Sequence, residues 1–140
     1  MRLEISKKTD GALRAICSLA EHDGRRNAEG IAADIGSSRQ MVPKLMEPLV
    51  KAGWVASSPG PTGGYELRAN LSEISALKLI EAVEGAVEDQ RCGLRGTPCP
   101  TIEQCAIHEA WLPARTALLD KLGSTTIADV QRSGTVRLRS

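Results

Sequence analysis

Residues 58–64 read Ser-Pro-Gly-Pro-Thr-Gly-Gly, a stretch that neither a helix nor a strand can absorb. The prolines remove amide donors and the glycines favour sharp backbone turns, so the chain must reverse there. On either side the pattern alternates. Trp54, Val55 and Ala56 read as one strand, and Tyr65, Glu66 and Leu67 as its return.

The chain ahead of this hairpin is helical. Over residues 9–21, Ala12, Leu13, Ile16, Cys17, Leu19 and Ala20 share one broad apolar face. Cys17 lies on that face and reads as a buried small hydrophobe. Residues 22–26 form a polar break, and Asn27 is a good N-cap for a short helix over residues 28–35 that buries Ile31, Ala32 and Ile35. Gly36 ends that helix. Ser37 or Ser38 can cap a longer one reaching residue 52, with Met41, Leu45, Met46 and Leu49 inward and Gly53 at its close. A short helix, a Gly turn, a longer helix and then a hairpin make the pattern of a winged helix-turn-helix.

Beyond the hairpin, Ser75 caps a further helix with Leu77, Ile80, Ala82 and Val83 apolar, closed by Gly85. Residues 86–101 are a loop rich in Gly, Pro, Cys and charge, and loops of that length usually carry function. A long helix follows over residues 102–122, with Trp111, Leu118, Leu119 and Leu122 apolar. Pro113 predicts a kink or a fresh start within it, and a last short helix follows Thr125 or Thr126. The long helix has more apolar surface than a winged domain can cover. Burial against the same helix of a second chain, in a two-fold homodimer, is the economical solution.

The expected fold class is therefore mainly α: a winged helix-turn-helix with a two-stranded wing and a long C-terminal dimerisation helix. With no Phe and 2% aromatic residues, the core must be built from aliphatic side chains, which suits packed helices. Residues 1–70 are expected to form the DNA-binding unit. Residues 71–140 hold the connecting helix, a cysteine-rich loop at 90–105 and the dimerisation helix at 102–122.

Several function classes are disfavoured. No apolar run approaches the roughly 20 residues of a membrane span, and the N-terminal MRLEISKKTD lacks an apolar signal region, so a cytoplasmic location is expected. A net charge of +1 means that any DNA surface must be local. Thr62-Gly63-Gly64-Tyr65 is framed as a wing turn rather than a strand-to-helix phosphate cradle, and the only nucleophile near a base is a Cys near a His. No enzymatic activity is expected.

Four cysteines without an export signal argue against a disulfide scaffold. Three cluster as Cys92-x6-Cys99-x5-Cys105, followed by Cys105-Ala-Ile-His108. Residues three apart on a helix share a face, so Cys105 and His108 can reach one metal centre. Thiolates and imidazole suit zinc or an iron–sulfur cluster. The absence of a paired C-x-x-C disfavours a zinc ribbon, but spacing alone leaves cluster, zinc and unligated thiols open.

The opening MRL, TDGALRA, the GSS turn, LVKAGWV, the PGPTGGYEL wing, the cysteine-rich loop and CAIHEAW span nearly the whole chain. Together they resemble the winged-helix iron–sulfur transcription regulators, which include the IscR, NsrR and RirA types. Cys-x-x-His-x-x-Trp is nearest the IscR type. That resemblance implies a [2Fe–2S] cluster held by Cys92, Cys99, Cys105 and His108, in a regulator, a repressor, that senses iron–sulfur status, redox or nitric oxide. Two features depart from the IscR type. The first cysteine spacing is one residue longer than its usual five, and RirA types tolerate longer loops. Asp10 stands where NsrR types draw a fourth ligand from the partner chain, so a [4Fe–4S] cluster is the alternative. A zinc- or thiol-based DNA-binding redox sensor without iron is the rival reading.

A helix-turn-helix lays its second helix in the major groove of duplex DNA. Ser37, Ser38, Arg39, Gln40 and Lys44 are the polar side chains expected to reach it. Arg39 can take a guanine and Gln40 an adenine bidentately, while Lys44 meets phosphate. Pro43 stands where the resembled family often has Glu, so base preference should differ, and it is expected to delay or bend the helix. In the wing Ser57, Ser58 and Thr62 can bond phosphate, and the backbone at Gly63 can approach DNA closely. Pro59 stands where that family often has Arg, so a minor-groove arginine contact is not expected. A homodimer calls for a pseudo-palindromic operator.

Overall fold

The fold is taken from a computed structural model. The structure describes residues 3–87, 94 and 105–134. Helix α1 (Lys7–Ala20) is the element on which α2 (Ala28–Ile35), α3 (Met41–Lys51) and α4 (Ala76–Glu84) pack. Its first turn is capped by Ser6, whose hydroxyl accepts from the Thr9 amide at 3.2 Å. Ala12, Ala15, Ile16, Cys17 and Leu19 are buried on its inner face.

Asn27 caps α2 by accepting from the Gly30 amide at 2.8 Å. Gly36 closes it at φ +68, a left-handed conformation in which a Cβ would be strained. The turn into α3 then differs from expectation. Neither Ser37 nor Ser38 caps α3 through its side chain. Gln40 is the residue before the first turn, and the Met41 amide is taken by the Ser38 carbonyl at 3.1 Å. Met41, expected inward, is 38% exposed, and Val42 is fully buried in its place. The inner arc of α3 is Val42, Leu45, Met46 and Leu49. At 100° per residue Met41 lies about a quarter turn from the centre of that arc. Helix α3 starts at Met41, later than a Ser37 or Ser38 cap would set it, and continues through Pro43, its third residue, where the amide has no intrahelical acceptor. Pro48 is the proline that removes a donor, the one its i−4 carbonyl on Lys44 would have received.

Strand β1 (Val55–Ser58) pairs antiparallel with β2 (Gly64–Leu67), from Val55 opposite Leu67 to Ser58 opposite Gly64. Ser57 and Ser58 thus belong to the strand, and the reversal is confined to residues 59–63. After a 3-10 turn (Leu71–Glu73), Ser75 caps α4 by accepting from the Lys78 amide. Leu79, rather than Leu77 or Ile80, is the buried residue of α4. Leu71, Ile74, Leu79 and Ile127 join the same core as Ile16, Leu19, Ile31 and Met46.

Helix α5 (His108–Ser124) runs unbroken through Pro113 and has no buried residue. Leu112 and Leu118 are 42% and 49% exposed. The expected helical residues 102–104 lie outside the described ones. The chain then returns: the Ala76 amide reaches the Thr125 carbonyl at 2.7 Å and the Ile127 amide the Ile74 carbonyl at 2.8 Å. Helix α6 (Ile127–Arg132) follows, opened by a reciprocal Thr126–Asp129 capping box. Among the described residues no helix is long and apolar enough to cross a membrane.

Candidate nucleic-acid interface and cysteine site

The residues expected to meet DNA fall on two neighbouring edges of the fold. Arg39 and Gln40 form the turn that leads into α3, and Lys44 lies on the exposed face of that helix. Ser38 is exposed and Ser37 half-buried just before them. Across an open cleft stand Ser57, Ser58, Pro59 and Gly60 of the wing, with Gly63 and Gly64 at its return. Asn27, Ala28 and Glu29 at the start of α2, together with Arg39, line the opposite wall. Thr62 is exposed at the wing tip.

Arg39 is not idle in this arrangement. Its Nη1 lies 3.5 Å from Glu29 Oε1, with both side chains about two-thirds exposed (68% and 70%). An exposed pair of this kind stabilises by no more than about 1 kcal/mol, so little opposes release of the guanidinium to a base or phosphate. Met41, expected inward, instead adds an exposed thioether at the head of α3, a group suited to apolar contact with a thymine methyl.

The wing is tied to the helices through the connection between α1 and α2. The Arg25 guanidinium donates to the Thr62 carbonyl at 3.3 Å. The Arg26 backbone pairs with Tyr65 in both directions, each bond 2.8 Å. The Arg26 side chain grips Asp34 on α2, and Asp34 also accepts from Ser18 at 2.7 Å and lies 3.0 Å from His22 Nε2. Burial opposes the charge on Asp34, but the hydrogen bonds from Ser18, Arg26 and His22 and the nearby guanidinium outweigh it and hold the carboxyl below the usual carboxylate range. None of Arg25, Arg26 or Asp34 was singled out from the pattern. Two adjacent arginines ahead of the N-cap Asn27 were the available signal.

Cys105 is half-buried and lies in a turn before α5 rather than on the helix itself. The His108 amide donates to the Cys105 carbonyl at 3.0 Å, so the Cys-x-x-His segment is a single closed turn with His108 as the first helical residue. Cys92 and Cys99 lie outside the described residues. Among the described residues no group of three or more His, Cys, Asp or Glu side chains is gathered for a metal. Asp10 is exposed in the first turn of α1 and pairs with Arg14 at 3.1 Å, while Ser6 does the capping. Cys17 is buried, as its place on the apolar face implies. Burial, with the Glu21 carboxylate adding to it, pushes its thiol up to about 11.

Comparison with known proteins places this architecture. Residues 5–133 match the Rrf2 family model, described as an iron-dependent transcriptional regulator. The chain is 26% identical over 136 residues to protein rrf2 of Nitratidesulfovibrio vulgaris, covering 96% of this chain and 91% of that one. It is 30% identical over 138 residues to the HTH-type transcriptional regulator IscR of Vibrio vulnificus, covering 96% and 80%. Among solved structures, CymR, the global cysteine regulator of B. subtilis, superposes with a TM-score of 0.75 at 30% identity, covering 94% and 98%. T. potens IscR does so with 0.72 at 25%, covering 94% and 88%. These relatives are transcription regulators, not enzymes, and the winged-helix architecture expected from the sequence is the one they share. The chain belongs to the Rrf2 family of transcriptional regulators.

Proposed function

We propose that the protein is a homodimeric DNA-binding repressor whose affinity for a pseudo-palindromic operator is set by an iron–sulfur cluster. The observation that carries the cluster reading is the closed Cys105–His108 turn at the head of α5. It presents a thiol and an imidazole from one short segment, next in sequence to the stretch bearing Cys92 and Cys99. Three thiolates and one imidazole fit the donor chemistry of a [2Fe–2S] centre. Bound there, the cluster would supply a redox- and nitric-oxide-sensitive iron centre. The chain's own part is to hold it, with Cys92, Cys99, Cys105 and His108 as ligands. Asp10 of a partner subunit, exposed in this structure, is the alternative fourth ligand for a [4Fe–4S] form. Dimerisation through α5 would cover the exposed Leu112 and Leu118. In DNA binding, Ser37, Ser38, Arg39, Gln40 and Lys44 would enter the major groove, while Ser57, Ser58, Thr62 and Gly63 would approach the phosphate backbone.

Anaerobic purification followed by iron, sulfide and visible absorption per chain tests this. Colour lost in Cys92→Ala, Cys99→Ala or Cys105→Ala but kept in Cys17→Ala is the expected result. Colourless protein without iron favours the second reading, a thiol-based sensor. That reading draws support from the 30% identity to Staphylococcus aureus CymR, solved in an oxidized form.

A further inference from the structure

We propose that the Arg26–Asp34 ion pair is a positioning device for the wing, fixing its spacing from α2 and α3 and through that spacing setting affinity for duplex DNA. The proposal rests on the DNA-binding reading above and names residues that reading does not use.

Arg26 is attached at both ends. Its backbone amide donates to the Tyr65 carbonyl and its carbonyl accepts from the Tyr65 amide, both at 2.8 Å, so it serves β2 as a one-residue outer strand. Its guanidinium makes two parallel bonds to Asp34, Nε to Oδ2 and Nη2 to Oδ1, each 3.1 Å, and a third to the Gly30 carbonyl at 3.3 Å. One residue thus joins the wing by its main chain and α2 by its side chain. Asp34 is fixed in turn by the fully buried Ser18 of α1 and by His22.

The surroundings are cut to this contact. A Cβ on Gly30 would lie 2.8 Å from Arg26 Cζ, and a Cβ on Gly64 would overlap the Arg26 carbonyl. Both glycines therefore leave room for the same residue from opposite sides. A lysine would keep the charge but lose the planar fork that fixes direction.

A two-stranded hairpin is marginal without such support. Val55 anchors its base in the core, whereas Arg26 holds its middle. When recognition helix and wing must engage one duplex together, a wing free to swing must be ordered on binding, and that cost weakens affinity.

The test compares Arg26→Lys and Asp34→Asn with the unsubstituted full chain on a duplex selected by it from random-sequence DNA. Each variant should bind about tenfold more weakly, equivalent to about 1.4 kcal/mol, with unchanged far-UV circular dichroism. Amide exchange at Arg26 and Tyr65 should accelerate. Hydroxyl-radical protection should fade under the wing and persist under α3. Repeated in a background of Ser57→Ala, Ser58→Ala and Thr62→Ala, the substitutions should add no further loss. Arg26→Lys decides the matter should Asp34→Asn fail to fold. Unchanged affinity in a folded variant overturns the proposal, as does an equal loss in the wing-substituted background. If the triple wing substitution itself leaves affinity unchanged, both the clamp and the wing as a DNA contact are refuted. If the unsubstituted chain selects no duplex, the DNA-binding reading falls and takes the clamp with it.

Discussion

Leu118→Asp should convert the protein from dimer to monomer without unfolding it. Leu118 sits on α5, a helix of 17 residues with none buried within its own chain, and 49% of it is exposed. Full burial of a leucine side chain is worth about 1.5–3 kcal/mol. Covering the remaining half yields about 1 kcal/mol per subunit, and two-fold symmetry makes the contact twice, for about 2 kcal/mol per dimer. Leu118→Ala should therefore raise the dimer dissociation constant about 30-fold. Aspartate forfeits the same area and adds a carboxylate without a partner in each half of the interface, a further cost of several kcal/mol. The fold of each chain should survive, because Leu118 lies outside the core cluster. Sedimentation equilibrium at micromolar concentration, with circular dichroism as the fold control, makes the measurement. A monomer for the unsubstituted protein, or an unchanged dissociation constant for Leu118→Asp, would refute the assignment of α5 as the interface.

Alkylation by iodoacetamide of the native, cluster-free protein should label Cys105 and spare Cys17, because the Cys17 thiol is buried and titrates at about 11, whereas Cys105 is half-buried; mass spectrometry showing Cys17 labelled first would contradict this. Asp34 has a folded pKa below its unfolded value of about 3.9. Its charge therefore stabilises the fold above that pH, and the contribution fades as pH falls through the folded pKa. Urea titrations of Asp34→Asn and the unsubstituted chain should differ most near neutral pH and converge in acid; a gap that widens in acid would reverse the sign. Arg39→Ala should relax base preference at a cost of roughly 1–3 kcal/mol, while Lys44→Ala should weaken all duplexes alike and flatten the salt dependence. Identical behaviour of the two on selected and random DNA would remove α3 as the recognition helix.

The parts of the fold legible in the sequence are those set by local chemistry. Pro59, Gly60, Pro61 and the Gly63–Gly64 pair leave the chain one course, and the wing forms where they stand. Asn27, Gly36, Ser75 and Gly85 mark helix ends because each meets a helix terminus in its own neighbourhood. Met41 was misplaced because period counting does not locate the centre of an apolar arc when both Met41 and Val42 are candidates. Ser37 and Ser38 are plausible caps by type, but α3 begins from an Arg39–Gln40 turn with no capping side chain. The Arg26 contacts were invisible for a different reason. They join the α1–α2 connection to α2 across a break in the helix and to the distant β2, and no periodicity within one element records either pairing. The cysteine site was legible only as a set of donors. Its Cys105–His108 turn is in the structure, and the residues that would complete it lie outside the described ones.

A cluster can change DNA affinity only by favouring one arrangement of the chain over another, and the packing indicates where that difference would act. Helix α4 ends at Glu84, whose carboxylate accepts from Thr9 Oγ1 at 2.5 Å and lies 3.4 Å from the Ser6 amide. The point where the chain leaves for Cys92 and Cys99 is thus bonded to the head of α1. The point where it returns, Cys105, leads into α5, which packs on α4. A group tying Cys92 and Cys99 to Cys105 would therefore bear on the junction of α1, α4 and α5. Helix α3 packs on both α1 and α4, so the reading head would shift as a body relative to α5 rather than change its own surface. If α5 joins the two subunits, that shift alters the separation of the two recognition helices, and a coupling of typically 1–3 kcal/mol corresponds to roughly 5- to 150-fold in affinity. Duplexes whose half-sites are moved apart by one base pair should then reverse the ranking of cluster-loaded and cluster-free protein. Base changes within a half-site should penalise both forms alike. Equal affinities of the two forms across the whole spacing series, at fixed salt, would mean that the cluster does not act through this junction.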